Sequence, residues 1–218
     1  MNGETVRRVM VWSSLLRTLH WAMALCTVTL VASGWLMLRA PAELGGGAAE
    51  VHRNIGFLLL AALAARLYLL LFGQRAEQWR DFIPWSPQHR AALQTLRFYL
   101  TGGRSPLPSY YAHNPLWGPI YLALFAVLAM QGLTGLFGLM DFHRRGLPII
   151  SGFVALHVLA AFLHDWKGHG SDVSAMINGH RVFVVKRPEA TGQGGVHVVS
   201  LESLLERRPD PGKRAGEG

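Results

Sequence analysis

Four of the ten histidines stand in, or at the ends of, long apolar stretches of the chain. Imidazole is the commonest metal ligand and also transfers protons near neutral pH. A polar ring among apolar residues is costly without a partner, and is therefore a candidate for function. One isolated histidine of this kind is more simply a hydrogen-bonded structural residue, but four together favour a functional site. The four are His20, His52, His143 and His157.

Long apolar stretches must position these rings. Charged residues make up 16% of the chain, whereas a soluble domain carries about a quarter, and here they lie between the apolar stretches. Each stretch is close to the ~20 residues that cross ~30 Å of hydrocarbon. The sequence therefore predicts an all-α integral membrane protein, a bundle of four transmembrane helices. The predicted spans are Val11–Leu38, Asn54–Phe72 (interrupted by Arg66), Trp117–Met140 and Leu147–Leu163.

Glycines and prolines divide the chain between these spans. Gly45–Gly47 is expected to break the chain after the first span. Within the long segment between the second and third spans, Leu93–Leu100 is predicted to form a short amphipathic helix on the membrane surface. The prolines that mark this segment are Pro84, Pro87, Pro106, Pro108 and Pro115.

The end of the chain differs in composition from the spans. We assign residues 1–187 to the transmembrane domain and residues 188–218, which are rich in Gly, Pro and charge, to a flexible cytoplasmic tail. Val196–Arg207 could form a short amphipathic helix within this tail. The first apolar stretch is too long for a cleavable signal and lacks an A-x-A site.

Basic residues are distributed unevenly between the two sides of the predicted bundle. Cytoplasmic loops are enriched in Lys and Arg, so the bias predicts that both termini lie in the cytoplasm, as in a multi-pass protein of the bacterial inner membrane. The net charge of +8 is then explained by topology and by contact with anionic lipid, and no nucleic-acid partner is expected. The predicted cytoplasmic set is Arg7, Arg8, Arg17, Arg75, Arg80, Arg90, Arg97, Arg104, Lys167, Arg181, Lys186 and Arg187, and the opposite set is Arg39, Arg53, Arg144 and Arg145.

The four histidines can be assigned to two pairs from their depth in the predicted membrane and from their angular positions on the helices. Because neighbouring spans alternate in direction, His20 and His157 fall toward the cytoplasmic side, and His52 and His143 toward the opposite side. His143 and His157 are 14 residues apart. On a helix this spacing puts the two side chains within ~40° of the same direction and about 21 Å apart along the axis. Two stacked haems, each held by two imidazoles in the core of a bundle, need this arrangement.

Two glycines and two arginines occupy positions that suit the same sites. Glycine leaves room where a porphyrin passes, and a buried arginine can pair with a haem propionate. The glycines could instead be helix-packing positions, and an arginine could snorkel to the interface. The positions are Gly34 and Arg66, 14 residues after His20 and His52, Gly56, one turn after His52, and Arg17, one turn before His20.

The single cysteine, Cys26, excludes several kinds of centre. One cysteine cannot form a disulfide framework, a cysteine-ligated zinc site or an iron–sulfur cluster. No C-x-x-C-H motif is present for covalent haem attachment, and no G-x-G-x-x-G follows a strand. The pattern therefore favours non-covalently bound haem b.

Several fragments in a fixed order give the chain a family resemblance over about residues 10–182. The sequence resembles the b-type cytochrome subunits of membrane-bound nickel–iron hydrogenases, within the wider bacterial cytochrome b561 and formate dehydrogenase gamma-subunit group. The fragments are Arg17–Trp21, Val51–Gly56 with Arg66–Tyr68, Phe98–Leu100, His113–Leu116, Gln131–Gly135, His143–Arg144 through Gly152–Phe153 to His157–Val158, and Ser174–Gly179.

This resemblance implies a dihaem electron carrier with the four histidines as axial ligands. It implies that electrons pass from an enzyme on the periplasmic face through the His52–His143 haem, then the His20–His157 haem, to a quinone near the cytoplasmic side. His113 and Asn114 enter the third span on that side and are our candidates for quinone contact. The alternative for this pair is a structural cap or turn before Pro115.

The sequence departs from the family in the region before the fourth span. Asp141–Gly146 is a shorter connection than family members usually have, and Pro148 can kink a helix. If the span starts at Leu147, His143 lies in the loop. His164, seven residues after His157, is then the reserve ligand, although it can also be an interfacial histidine near Asp165.

The resulting hypothesis is an electron-transfer subunit whose catalytic partner is another chain, since hydrogen activation needs a cysteine-bound metal centre. The expected partner is hydrogenase-like, with a molybdenum enzyme or a c-type cytochrome as alternatives. A stand-alone cytochrome b561-type quinone oxidoreductase that reacts with superoxide or ferric iron is a second hypothesis. A colourless transporter or channel that uses the histidines as proton relays is a third.

Overall fold

A computed structural model describes residues 4–85, 88–167 and 172–186. The main compact unit runs from Val6 to Phe183. The predicted tail, 188–218, and the helix expected at Val196–Arg207 lie outside the described residues.

Helices make up most of the described chain. Four of them, α1, α2, α4 and α5, are long and apolar enough to cross a membrane, which confirms the predicted four-span, all-α class. α1 packs against α2 and α5, and α4 packs against the same two helices. The elements are β1 (Glu4–Met10), α1 (Ser14–Arg39), α2 (Ala42–Phe72), α3 (Gln88–Leu100), α4 (Trp117–Leu136), α5 (Met140–Trp166), α6 (Asp172–Asn178) and β2 (His180–Lys186), with 3₁₀ turns at Arg75–Glu77 and Trp79–Asp81.

The first span begins three residues later than predicted because Ser13 caps it. The Ser13 hydroxyl accepts a hydrogen bond from the Leu16 N–H at 3.1 Å, which satisfies one of the free donors of the first turn. The same hydroxyl donates to the Glu77 carboxylate at 2.5 Å. The start of α1 is thereby joined to the segment that follows α2.

The predicted break at Gly45–Gly47 is wrong, because these glycines lie inside α2. The chain turns earlier, at Ala40 and Pro41, where the backbone is extended, and the Pro41 carbonyl accepts from the N–H of Gly45 at 3.0 Å. Glycine costs about 1 kcal/mol in a helix. The backbone hydrogen bonds of α2 continue through the glycines and outweigh this cost.

The turn between the last two spans also differs from the prediction. It comprises residues 137–139, not Asp141–Gly146, so α4 ends at Leu136 and not at Met140. Gly138 adopts a left-handed φ of 70°, and the Leu139 N–H returns to the Thr134 carbonyl at 2.8 Å. This is the usual way in which a glycine ends a helix.

The fourth span begins at Met140, seven residues before the predicted Leu147. His143 therefore lies in the helix and not in a loop. Pro148 stands inside α5, where it removes one N–H donor without ending the helix, as proline often does in spans that are packed against neighbours. The 14-residue spacing between His143 and His157 is consequently spacing along one helix.

Two short strands and one short helix were not predicted, and one predicted helix is present. β1 and β2 pair in a two-stranded sheet, and α6 follows the last span. α3 contains the predicted helix Leu93–Leu100 and begins five residues earlier; its location at the membrane surface stays a prediction.

An apolar cluster fills the middle of the bundle. Met23, Leu59, Leu63, Leu128 and Ile150 form its buried part, with at least one residue from each long helix. Ile150 lies about midway between His143 and His157 on α5, so this cluster separates the two levels at which the histidines occur.

Asp172 holds the end of the described chain to the bundle. Its carboxylate accepts hydrogen bonds from His164 at 2.9 Å and Tyr110 at 3.0 Å, and it pairs with Arg181 at 2.8 Å. Burial raises the pKa of Asp172, but the His164 hydrogen bond and the Arg181 charge outweigh it and hold that pKa below its usual value. The carboxylate is therefore ionised at neutral pH, and its contribution to stability is lost only as the pH falls below that usual value.

We expect Asp172→Ala to lower the free energy of unfolding by about 3 kcal/mol, because it leaves Arg181 without its carboxylate partner. Thermal unfolding in detergent, followed by tryptophan fluorescence, measures the effect. Glu50→Ala on the exposed side of α2 is the matched control. A midpoint for Asp172→Ala that equals the control's contradicts the expectation.

Candidate haem sites

The structure brings the four histidine rings together as two facing pairs. The ring centroids of His20 and His157 are 6.2 Å apart, and those of His52 and His143 are 5.8 Å apart. A metal–imidazole bond is about 2 Å long, and a ring nitrogen lies about 1 Å from its centroid, so two rings on one iron have centroids about 6 Å apart. Both pairs have the separation that one haem iron requires.

Each pair joins α5 to another of the four long helices. His20 (α1) faces His157 (α5), and His52 (α2) faces His143 (α5). Since His143 and His157 share α5, the two sites are separated by about 21 Å along its axis. Within the described residues, no group of three or more His, Cys, Asp or Glu side chains could hold a bare metal ion. A pair of imidazoles suits haem iron, for which the porphyrin supplies the other four nitrogens.

Hydrogen bonds fix the orientation of the His52 and His143 rings. His52 Nδ1 lies 2.9 Å from Ser33 Oγ, whose own proton goes to the Thr29 carbonyl at 2.7 Å. His143 Nδ1 donates to the Gln131 carbonyl at 2.9 Å. Both Nδ1 atoms are therefore donors, and both Nε2 lone pairs are left for a metal. A partner on the second nitrogen is the common arrangement for a metal-bound histidine.

A cavity of about 520 Å³ surrounds the His52–His143 pair, within the range of cofactor sites. Glycines keep it open. A Cβ at Gly135 would lie 3.0 Å from the His143 ring, and one at Gly34 would lie 3.4 Å from the His52 ring. A Cβ at Gly56, which also lines the cavity, would meet no atom within 4 Å. The residues present thus fit a flat, largely apolar group held at its centre by two imidazoles.

Two arginines that the sequence reasoning missed also line this cavity. Arg53 and Arg144 are both exposed and reach its rim. Each directly follows a histidine of the pair, His52 and His143, and this repeated His-Arg pair was the signal available in the sequence. Guanidinium groups at a cavity mouth are suited to carboxylates such as haem propionates.

Aromatic rings surround the His20–His157 pair. Phe153 stacks on His157 at 5.7 Å, and Trp117 meets it edge-on at 6.0 Å. The Tyr121 hydroxyl lies 3.3 Å from His157 Nδ1, so His157 also has a partner on one nitrogen and the other is left for a metal.

The two arginines that were predicted to bind haem are engaged elsewhere in the structure. Arg66 is 5% exposed; it donates to the Glu77 carbonyl at 3.1 Å and lies 5.2 Å from the Phe82 ring. Arg17 donates to the Ile177 carbonyl, while its buried Nε has no hydrogen-bond partner among the described residues. The propionate role of both residues stays a prediction.

His113 and Asn114 lie just before α4, next to the aromatic side of the His20–His157 pair. The Asn114 amide oxygen accepts from the Leu116 N–H at 2.9 Å, which is the turn that the structural alternative predicts. Its amide nitrogen is buried and lacks a hydrogen-bond partner in the described chain. His113 Nδ1 binds the Asp81 carboxylate at 2.8 Å, and its ring centroid is 6.2 Å from that of Tyr121.

His164, the reserve ligand, belongs to the Asp172 network and not to a histidine pair. Its Nδ1 faces Asp172, so its Nε2 accepts from the Tyr99 hydroxyl at 2.7 Å. Burial raises the pKa of Tyr99 to about 12, which keeps that hydroxyl a donor. Asp165, the expected neighbour, instead accepts from the Asp172 N–H at 2.9 Å. With both nitrogens engaged, His164 is a structural residue.

A membrane bundle with histidine pairs at two levels, each spaced for one iron, defines a membrane cytochrome of the b type. Comparison with protein families agrees. The chain belongs to the prokaryotic cytochrome b561 family, whose model matches residues 11–179, and membership implies haem of the b type.

Curated relatives cover most of the chain. A probable Ni/Fe-hydrogenase B-type cytochrome subunit from Rhodobacter capsulatus is 28% identical over 85% of this chain and 87% of its own length. Proteins with the same description from Cupriavidus necator (24%, 84% and 90%) and, for hydrogenase 1, from Escherichia coli K12 (21%, 78% and 89%) are also similar. No solved structure gives a significant match.

We expect Gly56→Leu to prevent haem binding at the His52–His143 site, because the new side chain would extend into the cavity that the porphyrin needs. Haem per chain should fall by about half. Gly152→Leu is the matched control, since a Cβ there also meets no atom within 4 Å and Gly152 does not line the cavity. Equal haem content in the two variants would show that the cavity does not hold haem.

Proposed function

We propose that this chain is the membrane electron-transfer subunit of a hydrogenase-like complex. It carries electrons through two b haems, one on His52 and His143 and one on His20 and His157, between a redox partner on the periplasmic side and the quinone pool. The observation that carries the proposal is the spacing of the two pairs, 5.8 and 6.2 Å between ring centroids, at two levels of one bundle.

The protein's part in this activity is positioning. Bound haem would supply one-electron redox chemistry. The chain holds the imidazoles at the required separation, and Ser33 and Gln131 keep the His52 and His143 rings from turning by binding their Nδ1 atoms. The apolar layer around Leu63 and Leu128 keeps water from the space between the two sites.

The distribution of charge supports one orientation of the two sites in the membrane. Both termini lie on the cytoplasmic side of the inner membrane in this proposal, because the Lys and Arg residues of the termini and of the long middle segment outnumber those at the other end. The His52–His143 site then lies toward the periplasm, and Arg53 and Arg144 at its rim face the partner and the haem propionates.

The names of the relatives support a hydrogenase as partner in preference to a molybdenum enzyme or a c-type cytochrome. A stand-alone quinone oxidoreductase would use the same two sites. Purification decides between the two: we expect the chain to copurify with other redox subunits.

The quinone site proposed at His113 and Asn114 is supported by an unpaired donor. The Leu116 N–H identifies the Asn114 amide oxygen, so the atom that is buried without a partner among the described residues is the nitrogen. A buried donor without an acceptor is costly, and a quinone carbonyl would satisfy it. Tyr121 lies between His113 and His157, so a quinone here would be close to the second haem.

Haem content tests the main proposal. A pyridine haemochrome spectrum of the purified chain should show two b haems, and His143→Ala and His157→Ala should each retain one, because each removes one axial ligand. His89→Ala, in the exposed face of α3, is the control and should retain both. One haem in the unaltered chain would remove one site from the proposal, and full haem in either variant would exclude that ligand.

Asn114→Asp tests the quinone contact. The substitution keeps the oxygen that accepts from Leu116 but removes the unpaired donor, so the apparent affinity for a soluble quinone should fall about tenfold. The readout is the quinone-concentration dependence of haem re-oxidation. Asn178→Asp is the matched control, because Asn178 makes the same kind of turn with the His180 N–H at 2.8 Å. An unchanged affinity for Asn114→Asp would leave this residue with its structural role alone.

A further inference from the structure

His113 of the proposed quinone site forms a carboxylate–imidazole pair with Asp81, and neither residue belongs to the two histidine pairs. Asp81 ends the second 3₁₀ turn after α2, and its carboxylate accepts from His113 Nδ1 at 2.8 Å. The His113 side chain is 9% exposed, whereas that of Asp81 is 35% exposed. The pair therefore connects a buried ring with the water outside.

Aromatic packing keeps the His113 ring in one orientation. The Phe82 ring lies 3.9 Å from it, centroid to centroid, and the Trp12 ring lies 5.0 Å away, edge-on. Because Nδ1 is held by Asp81, the atom that remains for a substrate is Nε2. This is the arrangement in which a carboxylate sets the tautomer of a histidine and stabilises its protonated form.

Burial and the charged groups around His113 shift its pKa in opposite directions. Burial lowers its pKa, the hydrogen bond and charge of Asp81 raise it, and the cations of Arg66 and Arg181 lower it. Tyr121 faces the ring from α4 without a charge. Burial outweighs Asp81 and holds the pKa of His113 below its usual value, and without Asp81 that pKa would be lower still.

Quinone reduction needs protons as well as electrons. A quinone that takes two electrons from the haem, one at a time, must also take two protons to become a quinol. The neighbouring Asn114 amide can donate a hydrogen bond but cannot give up a proton, so the site requires a separate proton donor within reach of the quinone oxygen.

We propose that His113 is the proton donor to the quinone and that Asp81 is its positioning residue. The Nε2–H bond of protonated His113 breaks, an O–H bond forms on one quinone oxygen, and the imidazolium becomes a neutral imidazole that keeps its Nδ1–H on Asp81. Water supplies the second proton and reprotonates the ring. This inference rests on the quinone site of the proposed function.

The experiment uses the full-length chain with its haem, reduced with dithionite and mixed with excess duroquinone. Haem re-oxidation is followed by stopped flow from about pH 4.5 to about pH 7.5, a range that extends below the usual imidazole pKa because burial lowers the pKa of His113. In the unaltered chain the rate should fall as the pH rises, because the protonated form of His113 disappears.

Asp81→Asn should move this fall to lower pH by about one unit, since it removes an opposite charge at hydrogen-bond distance. At a pH above both midpoints the variant is then about tenfold slower. Asp141→Asn, at an exposed position in the first turn of α5, is the matched control and should keep the original profile. His113→Gln should be slow at every pH, without a titration.

The outcomes separate this inference from the proposed function. If duroquinone does not re-oxidise the haem of the unaltered chain, the quinone function itself is overturned. If it does, but Asp81→Asn keeps the original pH profile or is slowed equally at all pH values, only the role of Asp81 is overturned. Should Asp81→Asn not retain haem, Asp81→Glu decides: a titrating profile supports the proposal, and a flat one overturns it.

Discussion

Imidazole rings inside an apolar bundle need partners, and the rest of this structure follows from that requirement. A polar ring without a hydrogen bond or a metal at membrane depth would be strongly unfavourable. Each histidine pair faces inward, and three of the four rings bind a protein oxygen through Nδ1. Those oxygens belong to Ser33, Gln131 and Tyr121. The ring centroids within the two pairs are 6.2 and 5.8 Å apart, the separation at which one iron atom would bind both rings.

This arrangement constrains the helices. α5 must run without interruption from His143 to His157, so that both rings share a face, and it does so although Pro148 stands between them. The short turn at Gly138 makes this possible, because it returns the chain into α5 early enough to include His143 in the helix. Between the two levels the bundle is apolar, whereas polar networks such as that of Asp172 lie beyond them.

The pairing and the helical phase of the histidines could be predicted from the sequence, because helical periodicity and the length of a span depend on local sequence. The exact helix ends could not. Gly45–Gly47 has the composition of a break, but continued hydrogen bonding in α2 outweighs the propensity of glycine. The β1–β2 pairing joins segments that are far apart in the sequence, and the local pattern carries no information about it. The engagement of Arg66 with Glu77 and Phe82 likewise depends on the folded loop, whereas Arg53 and Arg144 could have been found beside their histidines.

The two sites differ in the residues that surround them, and the difference suits entry of electrons at one end of the bundle and their exit at the other. The His52–His143 site opens into a glycine-lined cavity with arginines at its rim. No acidic side chain is among the described residues that line this cavity. The His20–His157 site is packed by Phe153 and Trp117 and adjoins a loop with an unpaired amide donor and a carboxylate-bound histidine. One end of the bundle thus has a glycine-lined cavity between two imidazoles, and the other has the amide and the imidazole to which our proposals assign quinone binding and protonation. If electrons enter at the first end, a quinone that receives them at the second end also takes up protons. It then leaves as a neutral, lipid-soluble quinol, which a membrane electron carrier requires.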